Sequence, residues 1–65
     1  MSKTFAPIAV LVKVITPKAV LTSDGFNEVW IPKSLIDEDD VDSIEANEFN
    51  EINVQEWFLK KEGLL

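Results

Sequence analysis

The chain contains no cysteine, no histidine and no arginine among its 65 residues, and each absence removes a class of function. Without cysteine there are no disulfides and no thiolate nucleophile, and without histidine most zinc sites lose a ligand type as well. Stability has to come from packing or association, and the lack of cysteine fits a reducing compartment. Arginine dominates bidentate recognition of phosphate and guanine. Six lysines stand against twelve acids for a net charge of −6, the reverse of the basic patch expected of a nucleic-acid binder. Direct nucleic-acid binding is disfavoured on that ground. Long apolar runs are missing too. The most apolar stretch, residues 7–15, is interrupted by Lys13 and falls far short of the roughly 20 residues a membrane helix needs. No small-residue cleavage site follows it, so neither a span nor a signal peptide is expected, and the expected location is the cytoplasm.

What remains is one small domain over residues 1–65 with one core. A chain this short is only marginally able to shield a core from water. Trp30, Trp57, Phe49 and Phe58 are therefore expected to lie mostly inside it. The competing reading of the tryptophans is a base-stacking platform of the kind found on OB-like sheets.

Residues 1–5 read as a flexible leader. Ile8, Val10, Val12 and Val14 then recur at every second position, which places one apolar row along a strand. Ala9, Leu11, Lys13 and Ile15 make the other face mostly apolar as well, so this strand is expected to be buried on both sides or to bend within a small barrel. Pro17 marks its end. Residues 18–22 and 28–32 flank Ser23-Asp24-Gly25-Phe26-Asn27 and predict a hairpin about an Asp-Gly turn. Pro32 stops the second of these strands, Lys33-Ser34 open a turn, and Leu35 and Ile36 return to the core.

An acidic loop over 37–50 follows, with one helical turn near residues 40–46, and Glu51-Ile52-Asn53-Val54 alternate as a short last strand. Asn53 is placed to cap a C-terminal helix over 54–62, with Lys60 and Lys61 in its last turn and Gly63 as its stop. The expected fold is mainly β: three or four antiparallel strands in an SH3-like or OB-like barrel around Trp30, Leu21, Val12 and Ile31, closed by the short helix.

No constellation carries catalysis. The adjacent carboxylates Asp37, Glu38, Asp39 and Asp40 lie in an exposed run, whereas perturbed acids occupy clefts. Val41 breaks the alternation an EF-hand loop needs and no glycine follows, so no metal site is assigned. Ser23 and Ser34 have no histidine to activate them, and Lys33 reads as a snorkelling edge lysine rather than a nucleophile. No cofactor is implied.

Lys18-Ala19-Val20-Leu21, Glu28-Val29-Trp30-Ile31-Pro32-Lys33-Ser34 and Ile52-Asn53-Val54-Gln55-Glu56-Trp57-Phe58, with a Lys-Lys-Glu-Gly-Leu ending, form a pattern. It resembles very small proteins of uncharacterised function carried by bacteriophages and other mobile elements, over roughly residues 18–65. The resemblance implies a context rather than a mechanism. Small acidic phage proteins often bind a host protein, and some inhibit defence nucleases by placing carboxylates in a nucleic-acid site.

The expected function is accordingly an acidic protein-binding module, an anti-defence inhibitor of a host nucleic-acid-binding protein with a basic surface. Its expected contact residues are Asp37, Glu38, Asp39, Asp40, Asp42, Glu45 and Glu48, with Glu51 extending the arc and Phe26 at the hairpin tip. Two alternatives stand beside it. One is an OB-like single-stranded nucleic-acid binder using Trp30, Phe26, Lys13, Lys18 and Lys33; the other is a structural subunit that pairs with a second copy through an apolar edge.

Overall fold

Alternating apolar residues build one four-stranded antiparallel sheet, seen in a computed structural model that describes residues 4–64. The strands are β1 (Phe5–Ile15), β2 (Ala19–Ser23), β3 (Glu28–Pro32) and β4 (Glu48–Gln55), in the spatial order β3-β2-β1-β4. Two short helices, α1 (Glu38–Val41) and α2 (Glu56–Lys61), and a 3-10 turn over Lys33–Leu35 complete the elements. The mainly β expectation with a short terminal helix holds. The first three residues of the leader and Leu65 lie outside the described residues.

β1 is the spine. Its first part pairs with β4, from Phe5 opposite Gln55 to Val12 opposite Glu48, and its last part pairs with β2, from Leu11 opposite Ser23 to Ile15 opposite Val20. Pro7 is tolerated in this central strand for a specific reason. Its partner Asn53 turns both backbone groups away from β1, its carbonyl accepting from Asp37 at 2.8 Å and its N–H donating to the Asp40 carboxylate at 2.9 Å. No ladder bond is lost to the proline.

The predicted β2–β3 hairpin forms, with Val20 opposite Ile31 and Leu21 opposite Trp30. Asp24 makes the turn by accepting the N–H groups of Phe26 and Asn27, both at 2.8 Å, while Gly25 takes φ +99°. At the other end Thr16 closes the Pro17-Lys18 turn, its hydroxyl accepting from the Ala19 N–H and donating to the Ala19 carbonyl.

The core lies on one side of the sheet: Val10 and Val12 of β1, Val20 of β2, Ile31 of β3, and Ile52 and Val54 of β4. Ile36, Phe58 and Leu59 cover it, helped by the partly buried Leu35, Val41, Ile44 and Leu64. Thr22 is the buried polar residue of this layer, and its hydroxyl donates to the Val29 carbonyl at 3.0 Å.

Several expectations need correction. β1 is not buried on both sides, and the row Ile8, Val10, Val12, Val14 is broken: a bulge leaves Lys13 without an opposite residue, so Val14 pairs with Leu21 and turns away from the core. Trp30 and Leu21 are not core residues, because the register puts them on the opposite face from Val20 and Ile31. Phe49 and Trp57 are also exposed, so Phe58 is the aromatic residue that reaches the core. Aliphatic side chains fill the interior instead.

Asn53 sits inside β4 and holds Asp40; the N-cap of α2 is Gln55, whose side chain accepts from the Trp57 indole N–H at 2.7 Å. The last strand is longer than residues 51–54, and the acidic stretch supplies both α1 and the start of β4. The ladder is open between β3 and β4. After the 3-10 turn, one isolated bridge joins Ile36 to Val54 on the outer edge of β4.

Candidate functional site

Two surfaces can carry function. The first is the acidic segment, and the structure divides its carboxylates into two groups. Asp37 caps α1 by accepting the Asp39 N–H at 2.9 Å. Asp40 reaches across to β4, where Oδ2 accepts both the Asn53 backbone N–H at 2.9 Å and the Asn53 Nδ2 at 3.1 Å. These two carboxylates are half-buried and have internal partners. Glu38, Asp39, Asp42, Glu45 and Glu48 are exposed.

Asn50 clips the far end of the segment. Its Oδ1 accepts from the Glu45 N–H at 3.1 Å, and its Nδ2 donates to the Glu45 and Glu48 carbonyls at 2.8 and 2.9 Å. Asn47 makes the approach to β4 with φ 65°, a left-handed value that asparagine tolerates better than most residues. The clip brings two acidic side chains together: Glu45 raises the pKa of Glu48 above the usual glutamate range, first by a shared hydrogen bond and then by like-charge repulsion. Among the described residues, no group of acids has the arrangement of a metal site.

The second surface is apolar. It is the face of the sheet opposite the core, where the register aligns Trp30, Leu21 and Val14 in one row and Leu11 with Phe49 in the next. Trp30 is 50% exposed, Phe49 74% and Val14 43%, while Leu11 and Leu21 are half-buried between them. Lys13 and Glu28 form an ion pair of 2.6 Å on this side. The lost signal was the alternation itself: Leu21 and Trp30 are out of phase with Val20, Thr22 and Ile31.

Phe26 stands apart at the tip of the β2–β3 turn, 94% exposed. A cleft of about 390 Å³ opens at the end of the sheet between Phe5, Lys33, Ser34, Ile36, Asp37, Glu38 and Gln55. It brings one cation and two carboxylates to its walls but no group able to activate Ser34, so it is a mixed-charge groove without a nucleophile–base pair. No helix among the described residues is long and apolar enough to cross a membrane. No protein-family model, no curated protein and no solved structure matches this chain.

Proposed function

We propose that this chain is a protein-binding module whose acidic segment docks on a basic surface of its partner, and that it acts as a phage-encoded inhibitor of a host nucleic-acid-binding protein in the host cytoplasm. One observation carries this reading. The segment is pinned to β4 by the Asp37 N–H on the Asn53 carbonyl, by the Asp40 carboxylate on the Asn53 N–H and by the Asn50 side chain on the Glu45 carbonyl, while Glu38, Asp39, Asp42 and Glu45 stay exposed. A charged arc held in one shape attracts a cationic channel and loses less conformational freedom on docking than a free loop.

The test is capture of partners from bacterial lysate at low and high salt, beside the variant Glu38→Gln/Asp39→Asn/Asp42→Asn/Glu45→Gln. The four positions avoid the two structural aspartates. A partner held by wild type at low salt and released by salt or by the variant supports the reading. A complex indifferent to both would exclude the acidic segment as its binding face.

The exposed Trp30 and Phe49 favour a second reading, a stacking platform for single-stranded nucleic acid. Charge opposes it, since Lys13 is already paired with Glu28. Titration with an oligonucleotide at low salt decides: unchanged tryptophan emission removes this alternative.

A further inference from the structure

The face of the sheet opposite the core is apolar, nearly neutral and open. We propose that it is the surface on which two copies of this chain meet, face to face and separate from the acidic segment. This places self-association on the sheet face rather than on a strand edge. The β3 edge is poorly suited to pairing, being short and ending at Pro32, which has no N–H to offer.

Three features argue for a second copy. The first is size. Trp30 and Phe49 alone leave roughly 250 Å² of aromatic surface in water, taking 150–250 Å² for a whole aromatic side chain. Monomers seldom leave contiguous apolar patches beyond a few hundred Å² unless they are used. The molecule measures 31 × 25 × 17 Å, and its broad face matches the ~800 Å² that each partner gives to a standard interface.

The second feature is shape. Trp30 and Phe49 stand on the two edge strands, β3 and β4, whose axes lie about 14 Å apart at ~4.8 Å per strand spacing. Between them lies the lower aliphatic strip of Leu11, Val14 and Leu21. A half-turn about an axis along the strands brings the β3 edge with Trp30 over the β4 edge with Phe49 of the other copy, and the reverse, with the two aliphatic strips facing between them, which makes the contact isologous. Sheets stacked this way sit ~10 Å apart with their strands roughly aligned.

The third feature is charge. Lys13 and Glu28 cancel, and the carboxylates left on this side lie at edge strand β4: Glu51, and Asp40 already bound to the Asn53 side chain. A basic partner finds little to pair with here, whereas a second copy presents the same neutral patch. The remaining acids lie mainly on the 37–48 segment and repel between copies at long range.

That repulsion sets a sign. Screening it with salt strengthens the dimer, while salt weakens any complex made through the acidic segment.

The experiment is sedimentation equilibrium of wild type over a wide concentration range at low and high salt. Phe49→Thr and Trp30→Thr/Phe49→Thr are run beside it. Threonine is neutral and strand-compatible, and circular dichroism confirms folding. The expected result is a monomer–dimer equilibrium shifted toward dimer by salt, weakened at least tenfold by Phe49→Thr and abolished in the double variant. Phe49→Thr alone decides if the double variant does not fold, because that side chain is the more exposed of the two. A wild type that stays monomeric at the highest concentration and salt overturns the proposal. A dimer unaffected by Phe49→Thr also overturns it.

Discussion

Asp39 and Asp40 are neighbours of the same chemistry, yet the fold assigns them different work. The Asp40 carboxylate satisfies the outward N–H of Asn53 on β4, whereas the Asp39 side chain is exposed. Asp40→Ala leaves a partly buried donor without a partner, and urea denaturation is expected to show a loss of about 1–3 kcal/mol. Asp39→Asn should stay within about 0.5 kcal/mol of wild type.

Two other acids make pH predictions of opposite sign. Asp24 has its pKa lowered by the N–H groups of Asn27 and Phe26, so its contribution is present above the ordinary aspartate range and is lost as pH falls through the depressed value. Glu48 is raised by Glu45, so its contribution is present at low pH and is lost as pH rises through the elevated value. Side-chain carbon shifts followed by NMR should place the two midpoints on opposite sides of the ordinary carboxylate range. Glu45→Gln removes the like charge, and the same titration should then move the Glu48 midpoint down. The Asp-Gly turn and the exposure of Phe26 were legible in the residues themselves, because turn chemistry is local. The separation of Asp37 and Asp40 from the free acids was not, since it depends on where β4 passes.

The elements follow their local signals closely. α2 carries Glu56 at its start, Lys60 and Lys61 at its end, and a Glu56–Lys60 ion pair of 3.2 Å. Gly63 then takes φ 75°, its N–H donating to the Lys60 carbonyl at 3.2 Å, while the Leu64 N–H reaches the Leu59 carbonyl at 2.8 Å. This six-to-one and five-to-two pair of bonds is a Schellman ending, and Leu64 folds back onto the core with it. Gly63→Ala meets no atom within 4 Å, so its cost is conformational alone, and thermal melts should show about 1–2 kcal/mol of destabilisation. The bulge at Lys13 had no such local signature. Its effect is large, because shifting the pleat by one residue moves Val14 from the core row to the open face.

The whole molecule is a two-layer object, a sheet covered on one face and bare on the other. The covered face holds the stability. Ile31 is fully buried opposite Val20, and Ile31→Ala is expected to cost about 2–5 kcal/mol, enough to unfold much of the population of so small a domain by calorimetry. The bare face holds Trp30, and Trp57 is 38% exposed on α2. Acrylamide should therefore quench native tryptophan emission almost as strongly as it quenches the unfolded chain. Protection of both indoles in the dilute monomer would contradict this arrangement. With one surface apolar and neutral and another acidic, salt acts in opposite directions on the two kinds of association.

By itself the sequence determined the β class, the hairpin, the terminal helix with its glycine stop, and the acidity of residues 37–51. Each of these rests on period-2 patterning, turn residues or composition, which are properties of neighbours along the chain. Only the tertiary structure decided which of two apolar faces became the core. Both faces of β1 were rich in valine, isoleucine, leucine and alanine, and apolar content alone does not say which side the helices will cover. That choice followed from Ile36, Phe58 and Leu59 packing over Val12, Val20, Ile31 and Val54, contacts between residues far apart in sequence. Once that side closed, pleat geometry left Trp30, Leu21 and Phe49 on the other.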